Sequence, residues 1–260
     1  MIRRALFSTV ALVAGSSLVA FGAPKDEVTD AAKKLSDAQN YSWKANTESA
    51  GGGGGGGRGF GGPTEGKAEK GGVSVVTMTR GDNTIEIVRK GDKGAVKTPE
   101  GWQSFEELQQ QAGQGGQGQG QGQGRGRGMM GRFLRGMRLP AEEATTLATK
   151  TKELSKDGEA YKGELTEEGA KEMLSFRGGR AGNNNAGGQG NFTPPEPTNA
   201  KGTVKFWVKD GQLSKYEYNL KGQMSFGGND IDIDRTTTVE IKDVGSTKVE
   251  VPAEAKAKIG

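Results

Sequence analysis

Three groups of residues in this chain have the types and spacing that could do chemistry. The first is Asp230, Asp232 and Asp234, which alternate with Ile231 and Ile233 after Gly227-Gly228-Asn229. Three carboxylates on one side of an extended chain could hold calcium. Counted from Asp230, however, the sixth position is Arg235 instead of glycine and the twelfth is Ile241 instead of glutamate, so this is not an EF-hand loop. A single glycine-rich unit also lacks the tandem repeats of calcium-binding solenoids. Simple alternation fits a strand with isoleucine inward and aspartate in water. The second group, Gly61-Gly62-Pro63-Thr64-Glu65-Gly66-Lys67, matches most of a phosphate-binding loop. Ala68 stands where a serine or threonine would hold magnesium, and no strand precedes the loop to aim its amides at a phosphate. The third is the stretch 125–139, where Arg125, Arg127, Arg132, Arg135 and Arg138 interleave with Met129, Met130, Phe133, Leu134, Met137 and Leu139, without an acidic residue. Such a mixture suits an anionic membrane surface. The competing reading is a solvated loop whose Phe133 and Leu134 tuck into the core, since Gly131 and Gly136 weaken any amphipathic helix here.

Catalysis finds little support. The 260 residues include no histidine and no cysteine, which removes the commonest general base, the thiolate nucleophile and the usual zinc ligands. There is no Gly-x-Ser-x-Gly, no serine followed three residues later by lysine, and no paired-acid constellation. The expectation is therefore a protein that is not an enzyme, with no cofactor and no metal.

The N-terminus points to export. Arg3 and Arg4 precede an apolar run over residues 5–19, broken only by Ser, Thr and Gly, and small residues follow at Ala20, Gly22 and Ala23. A basic start, a short apolar centre and small residues before the cut are what signal peptidase reads. Cleavage between Gly22 and Ala23 fits best, cleavage after Ala20 is the alternative, and residues 1–22 form the signal peptide. A membrane-spanning helix wants about 20 apolar residues, and this run is shorter. The expected location is outside the cytoplasm, periplasmic or extracellular, which argues against nucleic acid as a partner for the arginine-rich stretch. Without Arg3 and Arg4 the net charge of +4 falls to +2, too mild to imply a polyanion partner.

Glycine divides the rest. Of the 46 glycines, 27 gather in inserts at about 48–70, 111–131 and 178–200, which cannot bury enough apolar surface to offset their ordering entropy and are expected to be disordered. Closure entropy grows slowly with loop length, so residues 23–260 read as a single domain carrying expanded loops.

Patterned segments fill the space between. Residues 26–38 place Val28, Ala31, Ala32 and Leu35 on one face of a helix. Tyr41, Trp43 and Ala45 alternate with polar neighbours as a half-buried strand would. Residues 73–80, 84–90 and 94–97 read as strands, and Ser104 with Glu107 as the cap of a short helix over 104–110. Pro140 opens a helix expected over 141–154, followed by a strand over 161–165 and a helix from Thr166 to about residue 176. Residues 203–209 and 212–220 form a hairpin about Asp210-Gly211, and 236–243 with 246–251 a second one, ended by Pro252. This order suits an α+β fold, an antiparallel sheet with helices gathered on one face.

The helix Ala31-Ala32-Lys33-Lys34-Leu35 runs into the aromatic strand Tyr41-Ser42-Trp43-Lys44-Ala45. A helix follows Leu139-Pro140, then comes the strand Tyr161-Lys162-Gly163-Glu164-Leu165. The end is Gly202-Thr203-Val204-Lys205-Phe206-Trp207-Val208-Lys209-Asp210-Gly211 with Lys215-Tyr216-Glu217-Tyr218, closing on Val249-Glu250-Val251-Pro252. This arrangement resembles the LolA-type carrier superfamily, the lipoprotein carriers of the periplasm and related acyl-lipid-binding lipoproteins. The resemblance implies a strongly curved, open antiparallel half-barrel with helices on its concave face and acyl chains held between them. The chain departs from that pattern in its glycine-rich inserts and in lacking a cysteine for lipidation. It shows no carrier-specific motif from which site residues could be carried over. Candidate lining residues for an acyl chain or a lipidated partner are Trp43, Val75, Ile85, Ile87, Phe206, Val208, Tyr216 and Tyr218; each could equally be ordinary core. The alternative function is a structural or interaction protein of the cell envelope with a closed core.

Overall fold

The computed structural model describes residues 23–50, 62–114, 134, 136–175, 196–226 and 229–260. Eleven strands form one open sheet, and the described residues carry five helices. In chain order these are α1 (Pro24–Asp37), β1 (Asn40–Ser49), β2 (Thr64–Glu69), β3 (Val73–Arg80), β4 (Asn83–Lys90), β5 (Lys93–Thr98), β6 (Gly101–Ser104), α2 (Phe105–Gln114), α3 (Pro140–Lys150), β7 (Thr151–Asp157), β8 (Ala160–Leu165), α4 (Glu167–Leu174), β9 (Thr198–Lys209), β10 (Gln212–Phe226), β11 (Asn229–Lys242) and α5 (Ala253–Ile259). Strands run β6-β5-β4-β3-β2-β1-β11-β10-β9-β8-β7, every neighbouring pair antiparallel. Two meanders, β1 to β6 and β7 to β11, are thus sewn together where the first strand pairs with the last.

Local chemistry explains the elements that the sequence announces. α1 buries Val28, Ala31, Ala32 and Leu35, spaced three and four apart, with Pro24 in its first turn and Asp26 and Glu27 at its positive end. β9 and β10 are joined by Asp210 and Gly211, both at positive φ (53° and 70°), the mirror-image turn that matches strand twist. Ser104 and Glu107 form the expected capping box: Ser104 N donates to Glu107 Oε2 at 2.7 Å, and Glu107 N donates to Ser104 Oγ at 3.1 Å. Thr166 caps α4 by accepting from Gly169 N at 3.0 Å.

Four expectations are corrected. The helix expected to run to residue 154 ends at Lys150; Thr151 Oγ1 donates to Leu147 O at 2.7 Å, and residues 151–157 become β7 instead. The hairpin partner expected over 246–251 is not a strand. β11 already pairs with β10 on one edge and β1 on the other, so no edge remains for it. β2 forms inside the stretch assigned to the 48–70 insert, with Gly66 and Lys67 bonded into the sheet between β1 and β3, which ends any phosphate-loop reading. The helices, finally, do not all share a face. α1, α3 and α4 pack on the side carrying Phe206, Tyr216 and Leu220, whereas α5, absent from the sequence reading, packs against β4, β5 and β6. Its Ala255 and Ile259 join Val88, Ala95 and Trp102 in a second cluster. Adjacent strand residues point to opposite faces, so Ile87 and Val96 serve the main core while Val88 and Ala95 serve the one behind.

Candidate functional site

The layer between the sheet and α1, α3 and α4 is the largest apolar assembly of the described residues. Seven of the eight candidate lining residues belong to it. Trp43, Ile87, Phe206, Tyr216 and Tyr218 are buried in it, and Ile85 and Val208 pack half-buried against it. Val75 does not: it faces the cluster under α5, because β3 turns Val76 and Met78 inward. The apolar run Val73, Val75, Val76 in β3 has no clean alternation, so the sequence could not say which face was which. The structure adds Leu134, Val204, Leu220 and Val239, all at most 2% exposed.

A polar knot sits in this layer. Tyr216 Oη donates to Glu143 Oε2 at 2.7 Å, and Tyr218 Oη donates to Glu143 Oε1 at 3.1 Å. The two tyrosine rings stack at 6.5 Å with 12° between planes, and Phe206 lies 6.3 Å beyond Tyr216. Thr237 and Thr47 share a 2.9 Å hydroxyl bond beside them. Burial pushes the Glu143 carboxyl above the ordinary range; the two tyrosine bonds, then Arg138 and Arg235, pull the other way. Burial, with Glu143 adding its charge, pushes Tyr216 and Tyr218 well up, and burial takes Tyr41 to about 12. The knot offers a held carboxylate and two hydroxyls, without a nucleophile or an adjacent base. Its chemistry is positional: it pins α3 to the middle of the sheet. The sequence hid this, since Glu142 and Glu143 flank the apolar stripe of α3 alike and only the latter meets the tyrosines.

Further ties hold the helices down. Lys25 Nζ donates to the carbonyls of Thr149 and Thr151 at 3.2 and 3.0 Å, satisfying the end of α3. Arg235 Nη2 donates to Met173 O at 3.1 Å. Glu172 accepts from Arg138 at 3.1 Å and from Lys150 at 2.8 Å, which holds its carboxyl low.

The arginine-rich stretch is described only at Leu134 and residues 136–139; Phe133 and the arginines before it lie outside the described residues, as does Gly22 of the cleavage site. Leu134 is fully buried, Met137 and Leu139 pack against the core, and Arg89 Nη1 donates to Met137 O. Its inward leucine matches the core-tucking reading at that residue.

Asp230, Asp232 and Asp234 lie along β11 and are engaged across the strand pair. Ser225 Oγ donates to Asp230, Gln223 Nε2 to Asp232 at 2.8 Å, and Asn219 Nδ2 to Asp234 at 2.9 Å. Among the described residues no group of three carboxylates is gathered for a metal. Ile231, expected inward, is 46% exposed. A pocket of about 20 Å³ lies at the end of α1, among Lys34, Leu35, Gln212, Leu213 and Val244, enough for about one water. No helix of the described residues is long and apolar enough to cross a membrane.

No family model matches the chain, and no curated protein matches it. Solved structures do. LprF of Mycobacterium bovis is 9% identical with a TM-score of 0.43, covering 90% of this chain and 100% of that one. The lipoprotein LppX of Mycobacterium tuberculosis is 11% identical with a TM-score of 0.44, covering 88% and 98%. The LolA superfamily protein NE2245 of Nitrosomonas europaea is 10% identical with a TM-score of 0.32, covering 88% and 96%.

Proposed function

We propose that this chain is an exported, non-catalytic binding protein that holds an acyl chain, free or attached to a lipidated partner, between its sheet and helices. The sheet is read as curved, with α1, α3 and α4 on its concave side and the signal at residues 1–22 removed after Gly22. One observation carries the reading. A single face of an open sheet presents a continuous apolar layer from β4 to β8, and its cover is helices and a short strap, residues 136–139, instead of a second sheet. Such a cover can part from the sheet without breaking a strand ladder, because helices bond internally and sheets do not. No cofactor is needed for this function.

Lipid extraction and mass spectrometry of the mature protein, with displacement of a fluorescent fatty acid, test the reading. A co-purifying lipid and a concentration-dependent displacement are expected. No bound lipid together with no fluorescence shift would overturn it in favour of an envelope structural or interaction protein. One observation favours that second reading: Trp43, Ile87, Phe206, Tyr216 and Tyr218 of the layer are all at most 8% exposed.

A further inference from the structure

Directed bonds tie the cover to both halves of the inner face. Over β9, β10 and β11 the cover is tied by directed bonds: Glu143 to Tyr216 and Tyr218, Arg235 to Met173 O, and Lys25 to the end of α3. Opening that half would strand buried polar groups. Over the other half Arg89 on β4 donates to Met137 O and Tyr41 on β1 meets the Ala141 backbone at the start of α3. Between them the inward positions of the sheet include Gly66 and Ala68 on β2 and Ala45 on β1, and the Trp43 indole fills the space over Gly66. A Cβ placed on Gly66 would stand 2.1 Å from the Trp43 ring, so the ring lies flat in the slot that a side chain at position 66 would occupy. Trp43 is 5% exposed, with Tyr41 5.8 Å away ring to ring. Met78 lies in the same core cluster, and Met137 and Leu139 of the strap pack against it. Methionines adapt their shape to what they touch.

We infer that the ligand chain lies across β1, β2 and β3 in the slot that Trp43 fills, and that the indole is a self-occupant which the ligand displaces. This rests on the acyl-binding reading above. A flat indole is about as thick as an alkyl chain, about 4 Å between touching carbon layers, so the slot takes one unbranched chain and rejects fused-ring sterols. The chain would exchange one apolar contact set for another, and the tyrosine knot under α3 would stay shut.

The chain's three tryptophans make the test direct. Trp102 is buried behind the sheet under α5, and Trp207 faces outward with Lys215 Nζ 4.6 Å from its ring centre. Three variants each keep one tryptophan and carry phenylalanine at the other two sites. They are titrated with stearic acid brominated at mid-chain, a contact quencher, while displacement of a fluorescent fatty acid reports binding independently. Quenching of Trp43 alone is expected. Binding without Trp43 quenching, or with equal quenching of Trp102 or Trp207, would overturn the location and leave the acyl-binding function standing. No binding by any variant would overturn both. Trp43→Ala empties the slot, and an emptied apolar slot binds apolar ligands. That variant should bind stearic acid about tenfold tighter, because the competition from the indole is gone. Unchanged or weaker binding in a folded Trp43→Ala protein would mark the indole as plain core.

Discussion

Removing the hydroxyls that hold Glu143 tests whether the knot pins α3 to the sheet. Tyr216→Phe keeps the ring of a fully buried residue and deletes a 2.7 Å bond to the carboxylate. A hydrogen bond to a charged group contributes about 1.5–3 kcal/mol, so a cost of about 2 kcal/mol is expected. Tyr218→Phe deletes a longer bond of 3.1 Å at a residue 8% exposed, and should cost about 1.5 kcal/mol, the lower end of the same scale. The double variant leaves the carboxylate without either hydroxyl, which should cost about 4 kcal/mol, more than the two losses together. Adding Glu143→Leu to the double variant removes the stranded charge and should recover more than half of that loss, since replacing all partners of a polar contact by apolar groups is far cheaper than orphaning one. Urea unfolding at pH 8, followed by far-ultraviolet circular dichroism, measures each midpoint, with an unchanged slope confirming that stability alone has moved. Strictly additive losses in the double variant, or no recovery with Glu143→Leu, would refute the reasoning and mean that the carboxylate is hydrated.

The same group sets a pH dependence. Burial raises the Glu143 pKa above the ordinary 4.5, so its contribution to stability is full below 4.5 and is lost as pH rises through the higher folded value. The wild type should therefore lose stability relative to Glu143→Gln as pH climbs from 4.5, and a flat difference between the two urea midpoints would count against the burial. Ser104→Ala removes one half of the α2 capping box and should cost about 1 kcal/mol, a fall in Tm of about 2–4 °C. Ile259→Ala on α5 empties a site 4% exposed and should cost about 2–4 kcal/mol in thermal unfolding, although it lies on the face away from the proposed ligand; fatty-acid displacement should be unchanged. On the proposed export, N-terminal sequencing of protein recovered from outside the cytoplasm should read from Ala23, with Phe21 the product of the alternative cut, and an intact Met1 there would refute signal cleavage.

What could be read from the sequence divides along one line. α1 was legible because a helix packed by one face against the sheet and α3 needs its apolar residues three and four apart. The β9–β10 hairpin was legible because Val204, Phe206 and Val208 alternate and Asp210-Gly211 can adopt positive φ. These signals are local. Residues 246–251 carry a similar alternation at Thr247, Val249 and Val251, yet form no strand, because the fate of that pattern depends on whether β11 has a free edge. The α5 helix is seven residues long, three of them charged, and only the apolar back of β4 and β5 gives Ala255 and Ile259 somewhere to go. The site residues follow the same division: the aromatics could be named from type and alternation, whereas Glu143 needed its partners on another element.

β2 shows most clearly why local reading fails at this site. A strand is recognised by β-branched and aromatic residues that fill their own share of the core. The inward positions of β2 are Gly66 and Ala68, which fill almost none, and the missing volume is supplied from β1 by Trp43. Gly94 on β5 repeats the arrangement, where an added Cβ would stand 2.2 Å from the Phe105 ring. The pairing is therefore reciprocal: a large aromatic on one element requires a bare position on the next, and neither makes sense alone. Among the described glycines, Gly66 is the one whose filler is a tryptophan lying on a strand of small residues. Reciprocal packing of this kind serves a plain core as well, as Gly94 and Phe105 show. What sets the Gly66 site apart for the proposal is the shape left behind: with the indole gone, the small residues of β2 are the surface that a ligand chain would meet.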